Sequence, residues 1–358
     1  MIRRPKYTAV IIGTGRIGFS LGLDRKREQP ASHTMALLAD NRIRLIAGCD
    51  SNATHLDDWH RYCKRSTVYS SYAHLFAACS PDIVVIAVNE SAHLETALAA
   101  IRSRPKLLIL EKPVALTMSD GLQIADAAVK NSVPVMVNHE RRFALDYAAA
   151  KSYMDALGCI QSVTAELDSS LRVYSSADEA TGAYSLLHDG THLVDIVRFL
   201  LAEKADTAAE SAGKRSLLYD PVITSVYYDE KEQSVVRNVS VHFASDRCPD
   251  VTVRISGRSR FFGFGVDVCG TEGRIRIGNG YAEFYRREQS KLYSGFYSLA
   301  PDKSVKLPKK TGYFSNMVKN AVDYLDGKSP LKSTLQDGLA DLDVLEQIRA
   351  LLKDEERN

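Results

Sequence analysis

The sequence predicts two domains of different character: an N-terminal doubly wound parallel α/β domain, and a C-terminal α+β domain with a large, mostly antiparallel, open-faced sheet flanked by helices. Three observations carry this reading. The first third of the 358 residues alternates short β-branched runs with longer helix-like stretches, the pattern of a parallel sheet covered on both faces. A glycine-rich turn follows the first of those runs. From about Ile160 onward the strands are alternating, turn-bounded and consecutive, as in an antiparallel sheet with one face free. The boundary falls near residue 145, giving domains 1–145 and 146–358, with the closing helices as candidates to pack back across it.

In the first domain Tyr7–Ile12, Ile43–Gly48, Ile83–Val88, Leu107–Leu110 and Val133–Val137 read as strands. Their near-continuous apolar character fits parallel strands, which bury both faces. Helices over Ala92–Arg102 and Met118–Lys130 fit between them, the second opened by Thr117 as a cap. In the second domain Val222–Arg237, Val239–Phe243, Val251–Gly257, Phe262–Cys269, Arg274–Ile277 and Ala282–Tyr285 read as strands. Two helices close the chain, Tyr313–Asp326 ended by Gly327 and Thr334–Leu352 opened by Ser333 or Thr334.

Composition narrows the function classes. A chain that is 45% hydrophobic and 25% charged buries a core in each domain. A net charge of +2 without a basic stripe argues against nucleic acid as a partner. The six cysteines are scattered, with no CxxC pair and no nearby histidine at ligand spacing, so reduced thiols and no metal are expected. No stretch approaches a membrane span, and the apolar run after the basic start is too short for a signal sequence. A cytoplasmic protein with no membrane partner is the expectation.

Gly13-Thr14-Gly15-Arg16-Ile17-Gly18 directly follows the first strand and is expected to open a helix, the context that a dinucleotide-binding Rossmann turn requires. The first glycine permits the tight turn, the second lets the backbone approach a pyrophosphate, and the third allows close helix packing. Asp50, with Ser51 beside it, ends the second strand. A carboxylate there accepts from both ribose hydroxyls and repels a 2′-phosphate, so NAD is favoured over NADP. The bland alternative is a plain turn with Asp50 as a helix cap. Asp50 lies 37 positions after Gly13, against about 20 in a compact unit. The excess fits an insertion at Leu21–Ser32, with Ser32 capping a second helical stretch from His33. That insertion is either a lid carrying Arg25 or Arg27 to phosphate or a solvated loop.

Glu111-Lys112-Pro113 follows the fourth predicted strand, and a lysine there points into the crevice where such sheets bind ligands. The run LILEKPVALTMSDG resembles the EKP motif of the glucose-fructose oxidoreductase, inositol dehydrogenase and MocA family, and VNHERRFALDY resembles its continuation. DIVVIAVNESAH and GTEGRIRIGNG are similar to further segments of that family, so the resemblance spans nearly the whole chain. It implies cofactor contacts from Val88, Asn89, His93, Glu111, Lys112 and Asn138. It also implies a Lys112 whose ammonium bonds the substrate oxygen that changes between alcohol and ketone. The family's second catalytic element matches SLLHDGTHLVDIVRFL, in which His188, His192 and Asp195 recur at helical spacing. His192 matches the general base. At the family's earlier acid position stands His188, with Asp189 next to it, so either is the third group. In the favoured arrangement His188 points inward and Asp189 caps the helix.

Arg141 and Arg142 follow Asn138-His139, one as a candidate for the substrate and one for a domain interface. Arg172, Tyr174 and Tyr184 are candidates for a sugar pocket or for packing. The expected substrate set is Lys112, Arg142, Tyr184, His188, Asp189 and His192. The resemblance implies an NAD(P)-dependent dehydrogenase or reductase acting on a secondary alcohol or ketone of a sugar, cyclitol or related polyol. It also implies a homodimer or homotetramer formed through the open sheet face. A non-catalytic NAD-binding regulator and an NAD-dependent glycosidase are the alternatives.

Overall fold

A computed structural model describes residues 5–203 and 217–357. The chain forms two compact units, residues 1–144 with 310–339, and residues 145–309 with 340–358. The first unit runs β1 (Tyr7–Ile12), α1 (His33–Ala39), β2 (Ile43–Cys49), α2 (Ala53–Tyr62), β3 (Thr67–Tyr69), α3 (Tyr72–Ala78) and β4 (Ile83–Ile86). It continues with α4 (His93–Arg102), β5 (Leu107–Leu110), α5 (Met118–Asn131), β6 (Val135–Val137) and α6 (Glu140–Phe143). The six strands are all parallel, in the order β3-β2-β1-β4-β5-β6. The strand order reverses between β1 and β4, so their carboxyl ends flank the crevice where open α/β sheets bind ligands.

Local chemistry explains most of these boundaries. Thr117 and Ser32 cap α5 and α1 by accepting from Asp120 N and Met35 N. Val133 and Val88, expected as strand residues, lie outside β6 and β4, and the short β3 went unread because Thr67–Tyr69 is too brief to show a period. The larger correction concerns the glycine turn. It opens no α-helix: residues 15–19 make one helical turn, closed by Phe19 N to Gly15 O at 2.9 Å, followed by a 3₁₀ turn at Ser20–Leu23. The helix resumes only at His33, after the insertion.

The second unit runs α7 (Leu145–Tyr153), β7 (Ile160–Asp168), α8 (Ser185–His188), α9 (Gly190–Leu201), β8 (Tyr219–Tyr228), β9 (Val236–Ala244), β10 (Val251–Ser256) and β11 (Gly263–Gly270). Then follow β12 (Gly273–Gly278), β13 (Tyr281–Gln289) and β14 (Tyr297–Pro301). These eight strands form one sheet, β14-β13-β12-β11-β7-β10-β9-β8, antiparallel except for β7 against β10. The expected strand Val222–Arg237 is in fact two strands, β8 and the start of β9, separated by a polar turn in which Asp229 accepts from Lys231 N and Glu232 N. Strands β7 and β14 had not been anticipated. One sheet face buries Val163, Val241, Val253, Val266 and Ile275, and α9 packs over β7 and β10. The other carries cross-strand ion pairs, Arg254 with Glu166 at 2.9 Å and Arg276 with Glu283 at 3.3 Å. Helix α10 (Tyr313–Leu325) belongs to the first unit, and α11 (Leu335–Arg357) begins there and continues into the second. Thr334 and Asp337 cap α11 reciprocally.

Candidate cofactor and active site

Five expected groups lie just beyond the carboxyl ends of neighbouring parallel strands: the glycine turn after β1, Asp50 after β2, Val88 and Asn89 after β4, Glu111 and Lys112 after β5, and Asn138 after β6. Gly13 has φ +94°, and a Cβ there would meet Ala87 O at 2.3 Å, so only glycine lets the turn pass this close to the end of β4. Gly18 is equally constrained, since its Cβ would fall on Gly13 O. Gly15 differs. Its Cβ would touch only the His55 ring, at 3.4 Å, which leaves its backbone open to a ligand. Arg16 is exposed, Ile17 half-buried and Thr14 buried.

Asp50 fastens this turn. Its Oδ2 accepts from Thr14 N at 2.7 Å and Thr14 Oγ1 at 3.1 Å, and its Oδ1 accepts from Asn52 N at 2.9 Å. Ser51 beside it is exposed. A carboxylate offers about four lone-pair sites, so Asp50 retains capacity for a ribose hydroxyl, and it does not cap α2, a task taken by Asn52. Beside Gly15 opens a cavity of about 450 Å³ lined by Thr14, Phe19, Leu23, His55 and Tyr62 among others. These features fit a dinucleotide: a turn whose central glycine is uncovered, at a sheet switch point, next to a part-buried carboxylate.

Glu111 is the buried hub of the site. Its Oε1 accepts from His33 Nε2 at 2.7 Å and Asn138 Nδ2 at 2.6 Å, and its Oε2 from the backbone amide of Lys112 at 3.3 Å. Burial pushes the Glu111 carboxyl up, but the His33 hydrogen bond and charge, the Lys112 charge and the Asn138 amide outweigh it and hold it down at about 2. The Lys112–Pro113 peptide is cis. His93 is fully buried, with Nδ1 2.7 Å from Pro113 O and Nε2 3.2 Å from Val88 O. Burial holds its imidazole below the usual value despite the Pro113 carbonyl, and the shorter contact assigns the proton to Nδ1. His93 and Asn138, expected at the cofactor, therefore brace the turns that carry Val88 and Lys112.

Other expectations move. Arg142 is 6% exposed, pairs with Asp337 at 2.9 Å and donates to Lys332 O, so it anchors the start of α11 rather than offering its guanidinium to a substrate. Tyr184 is 2% exposed, packs edge-on to Tyr174 and accepts from Arg349 Nη1 at 3.3 Å; it is a core side chain of the second unit. The insertion is not loose. Glu28 accepts from Gly312 N, Thr311 N and Thr311 Oγ1, which caps α10 from outside, while Arg25 and Arg27 are exposed. The helix carrying His192 is interrupted. His188 ends α8 with its side chain 47% exposed, and Asp189 occupies the N-cap position of α9 without making a side-chain capping bond. His188 Nε2 lies 3.9 Å from Asp189 Oδ1. His192 is half-buried and Asp195 fully buried. His33 was missed altogether, although a histidine opening the mostly apolar α1 directly after the Ser32 cap was a readable signal.

Residues 7–139 match the oxidoreductase family with an NAD-binding Rossmann fold. This segment, 133 of the 358 residues, is thereby similar to the glucose-fructose oxidoreductase, inositol dehydrogenase and MocA group. It is 25% identical over 322 residues to an uncharacterized oxidoreductase of Schizosaccharomyces pombe, covering 86% of this chain and 83% of that one. It is 30% identical over 162 residues to inositol 2-dehydrogenase 2 of Saccharopolyspora erythraea, where it spans 43% of this chain and about half, 45%, of the relative. In fold it is similar to the WlbA dehydrogenase of Bordetella pertussis, solved with NADH and UDP-GlcNAcA, with a TM-score of 0.72 at 16% identity over 98% of this chain and 97% of that one.

Proposed function

We propose that the protein is a dehydrogenase or reductase that transfers hydride between NAD and a secondary alcohol or ketone of a sugar, cyclitol or related polyol. The observation that carries this is the placement of the glycine turn, Asp50 and Lys112 along one edge of a single parallel sheet. NAD, when bound, supplies the hydride acceptor. The uncovered backbone at Gly15 receives the pyrophosphate, and Asp50 favours an unphosphorylated ribose. Lys112, held by the buried Glu111 and the braced Pro113 turn, stabilises charge on the reacting oxygen. His192 takes the hydroxyl proton, as an imidazole does near neutral pH. His188 or Asp189 contacts a further substrate hydroxyl. Arg142 and Tyr184 drop out of the substrate set because both are committed to packing.

The test is a panel of myo-inositol, aldoses, aldonates and nucleotide-sugar uronates, assayed for NADH formation with the wild type and Lys112→Ala. The variant should bind NAD within about 3-fold of wild type and turn over at least ~10²-fold more slowly. Normal turnover by Lys112→Ala would reject the assignment. Absence of net NADH with any member would favour a regulator or a redox-neutral reaction.

A further inference from the structure

His33 joins the two halves of the cofactor site. Its backbone amide donates to Ile17 O at 3.1 Å, and the next residue, Thr34, donates to Gly18 O through both its amide, at 2.9 Å, and its hydroxyl, at 2.7 Å. The start of α1 is thereby fixed to the dinucleotide turn. The His33 side chain is fully buried, meets Phe314 edge-on at 5.1 Å, and places Nε2 2.7 Å from Glu111 Oε1. Glu111 in turn holds the Lys112 amide and is covered by Asn138. Among the described residues no hydrogen-bond partner faces His33 Nδ1, so the one polar contact its ring makes is to Glu111.

We propose that His33 is a positioning residue that couples the dinucleotide turn to Lys112 by holding Glu111 as a hydrogen-bonded carboxylate beneath it. The inference rests on the reading of Lys112 given above. A buried carboxylate that loses its charged or hydrogen-bonded partner takes up a proton, because burial alone penalises the anion. The titratable groups whose charge Glu111 feels are His33 on α1, Lys112 beside it and His93 on α4. With His33 removed, Glu111 titrates at a higher pH, and the turn that presents Lys112 changes with it.

The experiment compares His33→Leu with His33→Gln, whose side-chain amide can still donate to Glu111. Kinetics use whichever panel member the wild type turns over. Fluorescence of Trp59, the single tryptophan and a buried residue of the first unit, reports folding. His33→Leu should fold, lower kcat by at least ~10-fold at pH 7 with KM within about 3-fold, and gain an acid limb that recovers as pH rises. His33→Gln should keep at least about a third of the wild-type kcat. Independently of turnover, infrared difference spectra of the ligand-free protein between pH 7 and 5 should show a protonated carboxyl in His33→Leu that vanishes in His33→Leu/Glu111→Gln. If His33→Leu does not fold, the same spectra and kinetics on His33→Asn, whose shorter amide cannot reach Glu111, decide. A folded His33→Leu with wild-type kcat and no new carboxyl band overturns the coupling, as does equal loss in His33→Leu and His33→Gln. The outcome for Lys112→Ala separates the two claims. If that variant is slow while His33→Leu is unaffected, only the coupling fails.

Discussion

Glu111→Gln tests the electrostatics at the centre of the site. The native carboxyl sits at about 2 against an ordinary 4.5 while fully buried. That difference corresponds to roughly 3 kcal/mol of stability at neutral pH. A depressed carboxylate binds its proton less readily in the folded chain than in the unfolded one. Its contribution is therefore complete above about pH 4.5 and is lost as pH falls toward 2. Glutamine cannot carry the charge and presents an amide to a pocket already filled with the donors of His33 and Asn138. The variant should be less stable by about 3 kcal/mol at pH 7, and the deficit should shrink to roughly 1 kcal/mol near pH 3. Trp59 lies in the first unit, its indole donating to Thr34 Oγ1 at 2.9 Å one residue from His33. Its fluorescence during urea unfolding thus reports the unit in question. A deficit that stays constant from pH 7 to pH 3 would refute the assignment of a depressed, ionised Glu111.

Three further outcomes follow from the geometry. Gly13→Ala, at φ +94° with Ala87 O 2.3 Å from the new methyl, should cost about 3 kcal/mol or more and abolish NAD binding, whereas Gly280→Ala, at φ +83° with open space around it, should cost about 1 kcal/mol; similar unfolding midpoints would deny the close approach at the turn. Calorimetry should find NAD bound at least ~10-fold tighter than NADP, with the preference lost in Asp50→Ala; equal affinities in the wild type would reject the ribose role of Asp50. His188→Ala should slow turnover by ~10-fold or more and Asp189→Asn by much less; the reverse ranking would identify Asp189 as the acid that has moved along the chain.

The sheet of the first unit was legible because parallel strands buried on both faces leave continuous apolar runs, and Tyr7–Ile12 and Leu107–Leu110 match residue for residue. Helix starts were legible where a side chain does the capping, as at Ser32 and Thr117. The glycine turn was legible as a motif but not in its aftermath. Nothing in Gly13–Gly18 says whether a long helix or a single turn follows, because that depends on the insertion and on Glu28 reaching Thr311 and Gly312 nearly three hundred residues away. Arg142 and Tyr184 were illegible for the same reason. Their partners, Asp337 and Arg349, lie far along the chain, and a polar side chain read without its partner looks available for a ligand.

The His188–His192 segment fails differently, and the failure bears on the chemistry. Placing both imidazoles on one face assumed an unbroken α-helix, in which residues four apart are neighbours. The chain instead ends α8 at His188, turns at Asp189 and restarts at Gly190, and His192 N bonds Asp189 O in a three-residue step rather than a four-residue one. Gly190 explains where the restart falls. A Cβ there would come within 3.1 Å of the Ile255 side chain and 3.4 Å of Ser185 O, so glycine lets the helix lie against β10 without displacing Ile255. Packing on the sheet therefore sets the register of α9, and His192 and Asp195 with it, while His188 and Asp189 sit on the far side of the break. Asp189 stands at an N-cap position but leaves the amides of the new helix uncapped by its side chain; its carboxylate lies 3.9 Å from His188 Nε2 instead. The cap therefore does not account for its presence, and a functional loss on replacing it would act either through His188 or through contact with a ligand.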